Sequence, residues 1–327
     1  MTRVLVCGGT GFIGRNILES LLKTSKNEVH ATYFQGKPFE SIIDNRQIKW
    51  HYVDLRREQC VSSLLGDIRP EIIIQAAATT SGSKDIITKP YIHVTDNAVI
   101  NSILLREAMA NKVKHFIFFS CTVMYQNSKN AIKETDWDPS NPIHDRYFGV
   151  GNTKAYIEQM LDFYSRISEM KCTAIRHSNV YGPHDKFDLE RSHVFGATIS
   201  KVMTAEDKVS IWGSGEEERD LLYIDDLVTF VDAVIKNQVE KYSLYNCGYG
   251  RPCSVRNLVE QIIATSRKNL TIDHDLSKPT IKTSIYLDCT KSKEEIGWTP
   301  KVTLNEGISK TIKWWQDRVD PATLTHI

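Results

Sequence analysis

The chain has 327 residues, 41% apolar and 25% charged, with a formal net charge of +1. That length buries a sizeable core. The near-neutral balance, with no long charge run, argues against nucleic acid as a partner, and no apolar run approaches the roughly 18 residues that cross a bilayer.

The chain opens MTRVLVCGGTG, where 3–9 reads as a buried strand ending in glycines. A helix is predicted over 12–24 from its apolar spacing. Strands follow at 28–34, 48–55 and 71–78, then a helix from about Thr95 to Asn111 and a very apolar strand at 114–120. A long helix is predicted from about Gly151 to Ser168, because Gly149 and Gly151 argue against an earlier start. A strand follows at 172–177. Strands alternating with helices predict an α/β fold of the Rossmann type, a doubly wound parallel sheet. Strands that are apolar without alternation agree, since both of their faces are covered.

After residue 178 the pattern loosens. Loops rich in Gly, Pro and charge separate helices at about 193–205, 225–237, 254–266 and 304–318. The expected division is a dinucleotide-binding lobe over 1–177 plus about 220–247, and a smaller mixed C-terminal lobe over about 178–219 plus 248–327. The opening residues lack the regions of a signal peptide. The seven cysteines are scattered without a CxxC pair, so zinc is not indicated, no metal is expected, and reduced thiols in a cytoplasm are.

Glycines 8, 9, 11 and 14 stand between the first strand and an amphipathic helix, which is the context that gives a GxGxxG pattern its meaning. The turn needs positive φ, a pyrophosphate needs close backbone approach, and a helix N-terminus supplies N–H donors. Gly8, Gly11, Phe12, Ile13, Gly14 and Arg15 are the expected cofactor contacts here. An acid for the ribose hydroxyls belongs at the end of the second strand, but that position falls near Tyr33 and no acid follows until Glu40. Arg15 and Lys37 are cations suited to a 2′-phosphate, so NADP(H) is expected, with NAD(H) as the alternative. Asp54 is placed to accept from the adenine amine, beside Leu55, with Ala76 and Ala77 after the fourth strand.

Taken together, GGTGFIG, IIIQAAA, Asn97, FFSCTVMY, Lys154, RHSNVYGP, RDLLYIDD and KSKEEIGWTPKVTLNEGI resemble the extended short-chain dehydrogenase/reductase family of nucleotide-sugar epimerases, dehydratases and reductases. The stretch NVYGPHDKFDLERSHV (179–194) is similar to that of the GDP-fucose synthase group, NADPH-dependent 3,5-epimerase/4-reductases. The resemblance implies a nucleotide-diphosphate sugar as substrate and a homodimer formed through the helices at 95–111 and 151–168. It implies that Ser120 bonds the reacting sugar oxygen, that Lys154 holds the nicotinamide ribose, and that His193 is an acid/base. Asn179 and Arg219 are implied to hold the diphosphate, a task suited to a guanidinium fork.

Two departures qualify this. The family places a Tyr four residues before the Lys, and here that residue is Val150, which has no proton to give. Tyr147, two helical turns before Lys154, is a candidate replacement, with Tyr125 and His193. The GDP-fucose synthase group also carries a Cys two residues after its active Ser. Here Thr122 holds that place with Cys121 beside it, a thiol that a nearby cation can tune. The expected activity is a 4-keto reductase or epimerase on a nucleotide-diphosphate sugar, GDP-linked first. The alternatives are a 4,6-dehydratase-like enzyme, disfavoured because SCTVMY holds no carboxylate, and a cofactor-binding regulatory protein.

Overall fold

The computed structural model describes residues 2–24, 27–40, 42–43, 46–79, 91–189, 192–277 and 284–319. Its first half runs β1 (Arg3–Cys7), α1 (Phe12–Thr24), β2 (Glu28–Tyr33), the short β3 (Ile42–Ile43) and β4 (Arg46–Gln47), β5 (Lys49–Tyr52), α2 (Glu58–Ile68), β6 (Ile72–Gln75), α3 (Tyr91–Ala110), β7 (His115–Phe119) and α4 (Phe148–Ile167). The second half runs β8 (Lys171–His177), β9 (Asn179–Tyr181), α5 (Val194–Thr204), β10 (Lys208–Trp212), β11 (Glu218–Tyr223), α6 (Ile224–Asn237), β12 (Tyr242–Cys247), β13 (Pro252–Ser254), α7 (Val255–Ser266), β14 (Thr271–Asp275), α8 (Thr290–Ile296) and α9 (Leu304–Arg318).

Seven strands form one parallel sheet in the order β12-β8-β7-β6-β1-β2-β5. Side chains alternate between its faces. Val4 and Val6 of β1 join one apolar core, while Leu5 and Cys7 join the other. Ile117 and Phe119 of β7 likewise oppose Phe116 and Phe118. Both faces are dry, which is why these strands read as continuous apolar runs. Beyond β8 the chain builds smaller sheets. Strand β11 pairs with β9 in parallel and with β13 antiparallel, and β10 pairs with β14. Asp220 of β11 is fully buried and its carboxylate accepts from the N–H groups of Tyr249, Gly250 and Leu287 at 2.7, 3.0 and 3.0 Å, tying two loops to that strand.

Two expectations need correction. Helix α2 is absent from the predicted elements, although Val61, Leu64, Leu65 and Ile68 are buried at helical spacing. Helix α4 starts at Phe148, preceded by a 3₁₀ turn over Asp145–Tyr147, so the two glycines lie inside it. Their small size serves packing: a Cβ on Gly149 would sit 2.8 Å from Val94 Cγ2, and one on Gly151 2.9 Å from Ile143 Cδ1.

The sheet also carries a pH liability. His115 of β7 is buried and its Nε2 meets Thr173 Oγ1 at 2.8 Å; burial pushes its pKa down to about 4. The folded chain refuses a proton that the unfolded chain accepts. This stability is therefore complete above the ordinary histidine pKa and is lost as the pH falls from about 6.5 toward 4, by about 3 kcal/mol. His30 and His51 (ring nitrogens 2.9 Å apart) are displaced the same way by burial. Urea unfolding should show a midpoint that drops across this window, and His115→Gln should flatten the drop.

Candidate active site

The strand order turns back between β1 and β6, and in such sheets ligands bind outside the carboxyl ends of the strands at that switch point. The glycine turn lies there. Gly8 has φ +77°, a left-handed conformation that favours glycine, and a Cβ on it would stand 2.7 Å from Ala77 Cα. A Cβ on Gly14 would stand 2.3 Å from the Gly8 carbonyl oxygen, which itself accepts from Gly11 N–H at 3.0 Å. Helix α1 then opens at Phe12 and Ile13 with no acid in its first turn, leaving its N–H donors and positive end for an anion. Ala76 and Ala77 form the opposite wall; Ala77 N–H donates to Gln75 Oε1 at 3.1 Å. This cradle of bare backbone fits the pyrophosphate of a dinucleotide. Leu55 lies in the core, only 6% exposed.

Asp54 was expected to face an adenine amine, yet both of its oxygens accept from Arg56, at 2.9 and 3.1 Å. Those hydrogen bonds keep its carboxyl below the usual range. Arg56 also lies 5.2 Å over Phe34, whose ring stacks on Tyr52. Arg15 pairs with Glu19 at 3.1 Å and lies 4.3 Å over Phe39. Lys37 is exposed just beyond β2.

Lys154 lies on α4 with Val150 one turn before it, on the same helical face. Its Nζ donates to the Phe119 carbonyl at 2.7 Å and stands 4.5 Å over the Phe118 ring. Burial lowers its pKa, against the pull of Cys121 and Glu158. Ser120, expected to meet the sugar oxygen, is turned inward. It is 1% exposed, and its Oγ donates to Glu158 Oε1 at 2.5 Å. Glu158 is held in turn by Arg176 at 3.0 and 2.7 Å. The next residue, Cys121, lies within electrostatic reach of Lys154. Burial raises its pKa despite that cation and a bond from Val123 N–H, so at neutral pH it is a thiol and not a thiolate.

The structure gathers Thr122, Tyr147, Asn179 and Arg219 around one cavity of about 320 Å³, with His144 and Gln126 on its wall. Asn179 Nδ2 donates to the Asp220 carbonyl at 3.3 Å, and Arg219 Nη1 to the Glu218 carbonyl at 2.7 Å. Burial lowers the Arg219 pKa, with Tyr147 and Glu217 acting against it. Tyr147 is the N-cap residue of α4 and contributes no capping bond from its side chain. Tyr125 also lines this cavity, but its hydroxyl donates to Asn246 Oδ1 and accepts from Arg176, at 2.8 and 2.9 Å, an architectural role. His193 is the N-cap residue of α5, without a side-chain capping bond and with an exposed surface. Crowding by protein atoms lowers its pKa, and Lys186 adds to this. Residues 190 and 191 of the stretch that led to it lie outside the described residues.

The sequence reading passes over His177, which ends β8. Its Nδ1 donates to the Ser178 carbonyl at 2.9 Å and its ring meets Phe119 edge-on at 6.2 Å. The signal was available: a titratable residue at the carboxyl end of a parallel strand. Among the described residues no group of three or more His, Cys, Asp or Glu is arranged for a metal ion, and no helix is long and apolar enough to cross a membrane.

Comparison with known proteins agrees with this architecture. The chain is 26% identical over 318 residues to GDP-L-colitose synthase of Yersinia pseudotuberculosis, covering 96% of this chain and 97% of that one. It is 26% identical over 333 residues to GDP-L-fucose synthase 1 of Arabidopsis thaliana, covering 97% and 94%. The structure of UDP-glucose 4-epimerase from Thermotoga maritima with UDP-glucose superimposes with a TM-score of 0.86 at 26% identity, covering 98% of this chain and all of that one. That of the Thermus thermophilus UDP-glucose 4-epimerase in complex with NAD gives 0.82 at 24% identity, over 97% and 100% of the two chains. Residues 4–248 match the family model described as the NAD dependent epimerase/dehydratase family. With the glycine cradle at the switch point of a seven-stranded parallel sheet, the chain belongs to that family of nucleotide-sugar enzymes.

Proposed function

We propose that this protein is a 4-keto reductase or epimerase acting on a nucleoside-diphosphate sugar, GDP-linked by preference, with NADP(H) as cofactor. The observation that carries the reading is one cavity whose lining includes Arg219, Asn179, Thr122 and Tyr147. Its chemistry suits a diphosphate at one end and sugar hydroxyls at the other. A bound nicotinamide supplies or accepts a hydride at the sugar carbon. The chain's own part is to position and to move protons. The Gly8–Gly14 turn and the first turn of α1 hold the pyrophosphate, Lys154 the nicotinamide ribose, and Arg15 with Lys37 a 2′-phosphate. Among the described residues the cavity lining contains no carboxylate, which disfavours an elimination. The test is loss of NADPH absorbance at 340 nm against a panel of nucleotide-linked 4-keto sugars, GDP-linked ones first. No loss with any of them, and no epimer formed, would sink it.

Val150 favours a second reading, a protein that binds cofactor and sugar without turnover. The two part on Val150→Tyr. If another group already handles the proton, the new phenol leaves kcat unchanged or lowers it. A gain of about tenfold or more would favour a chain that has lost its catalytic tyrosine.

We also propose a homodimer through α3 and α4. Phe148, Tyr156, Phe163 and Ile167 are each more than half exposed and fall within about 100° of one face of α4. An apolar stripe of this kind marks an interaction surface. Light scattering should give twice the chain mass, and Phe163→Asp should give the monomer.

A further inference from the structure

The proposed function leaves open which group exchanges a proton with the sugar oxygen. Val150 cannot, Ser120 is spent on Glu158, and the Tyr125 hydroxyl is spent on Asn246 and Arg176. Cys121 and Tyr147 have protons, but among the described residues neither side chain donates to a fixed acceptor.

His177 is. A carbonyl can only accept, so the 2.9 Å contact with the Ser178 oxygen fixes the proton on Nδ1. A neutral imidazole with its proton on Nδ1 has a lone pair on Nε2, and no hydrogen bond from Nε2 is present among the described residues. The ring is half-buried rather than sealed, at the carboxyl end of β8, on the same edge of the parallel sheet as the glycine turn that follows β1. Phe119 links it to the catalytic helix: that residue's ring meets His177, and its carbonyl holds Lys154 Nζ at 2.7 Å. The charged and titratable groups that bear on the ring are Lys154 from α4 and His193 from the start of α5. Strand β12 contributes Cys247, paired in register with His177.

We propose that His177 is the proton-transfer residue of the sugar site and does the work given elsewhere in the family to the tyrosine. This rests on the reading above, that a nucleotide sugar is oxidised or reduced at a carbinol carbon. In the oxidising direction the sugar O–H bond breaks and its proton bonds to Nε2. The O–H electron pair becomes the second bond of the carbonyl as the C–H pair leaves as hydride for the nicotinamide acceptor. In the reducing direction the imidazolium returns the proton to the forming alkoxide. Burial, with Lys154 and His193, pushes the His177 pKa down to about 4, so the free ring is neutral at pH 7: it is an acceptor for the oxidising direction, and the reducing direction, which needs the protonated ring, should slow as the pH rises above about 4.

The test uses His177→Asn, whose amide nitrogen can keep the bond to the Ser178 carbonyl while the Nε2 acceptor is gone. NADPH affinity by fluorescence should stay within about threefold while kcat falls by about 100-fold or more. In His177→Gly, added imidazole should restore part of the lost rate, which a structural role would not allow. A readout without turnover is the ring ¹⁵N spectrum of the cofactor-loaded protein. The proton should be on Nδ1, and the Nε2 signal should move on saturation with GDP-mannose. A proton found on Nε2, an Nε2 signal unmoved by bound GDP-mannose, or a kcat for His177→Asn within about threefold of wild type would each overturn the assignment while the proposed function stands. Wild-type protein that binds no nucleotide sugar, or binds it without turnover, overturns the proposed function and this assignment together.

Discussion

Glu158→Ala should destabilise the fold by about 3–5 kcal/mol, because it strands a buried guanidinium. Arg176 is 1% exposed and Glu158 3%. Burial alone would lower the Arg176 pKa; two hydrogen bonds and the charge of Glu158 outweigh it and raise it instead. The guanidinium has other partners, the Tyr125 hydroxyl at 2.9 Å and the Glu134 carbonyl at 3.1 Å, but neither carries a compensating charge. The pair also anchors Ser120, so three elements (β7, α4 and β8) meet at one carboxylate. Urea unfolding should give the loss directly. Replacing both partners, Glu158→Leu with Arg176→Met, should cost less than Glu158→Ala alone, since no unpaired charge then remains. A single variant within about 1 kcal/mol of wild type would show that water reaches the guanidinium.

Gly14→Ala should abolish measurable cofactor binding while leaving the sheet intact. The added Cβ would stand 2.3 Å from the Gly8 carbonyl oxygen and 3.1 Å from Gly9 Cα. These are backbone atoms of the phosphate turn itself, so relief requires the turn to open. The pyrophosphate then loses both its close approach and its aligned N–H donors. NADPH titrated by fluorescence should bind at least about 100-fold more weakly, a loss of about 2.7 kcal/mol. The overpacking should cost about 1–3 kcal/mol of stability, too little to unfold a chain with two apolar cores. Gly66 is the control: a Cβ there meets nothing within 4 Å, so Gly66→Ala should leave binding unchanged.

The sequence was most legible where a local requirement is written in consecutive residues. The turn 8–14 needs glycines for reasons of backbone geometry, so it could be read before any fold was known. Strands β1, β6 and β7 are apolar on both faces because both faces are covered, and that too is a property of short stretches. Four helices of the second half carry their apolar spacing within themselves. Gly149 and Gly151 misled for the opposite reason: a glycine inside a helix looks like a stop until the neighbour that needs the space is known. That neighbour, Val94 for one and Ile143 for the other, is supplied only by tertiary packing.

The site divides the same way. Lys154, Arg219, Asn179 and the absence of a tyrosine at Val150 stand in the sequence itself. Which side chain at the end of β7 faces the ligand does not, because successive residues leaving a strand point to opposite sides, and a shift of one residue exchanges a site group for a core group. Ser120 Oγ donates to a carboxylate 38 residues further on. Asp54 is paired with Arg56, and the Ser178 carbonyl fixes the tautomer of His177. By itself the sequence determined the fold class, the glycine turn and the family, since these follow from short-range backbone and pattern constraints. Only the tertiary structure decided which polar groups are spent on one another and which are left for a substrate, because a hydrogen-bond partner is chosen by proximity in space and most of these partners are far apart along the chain.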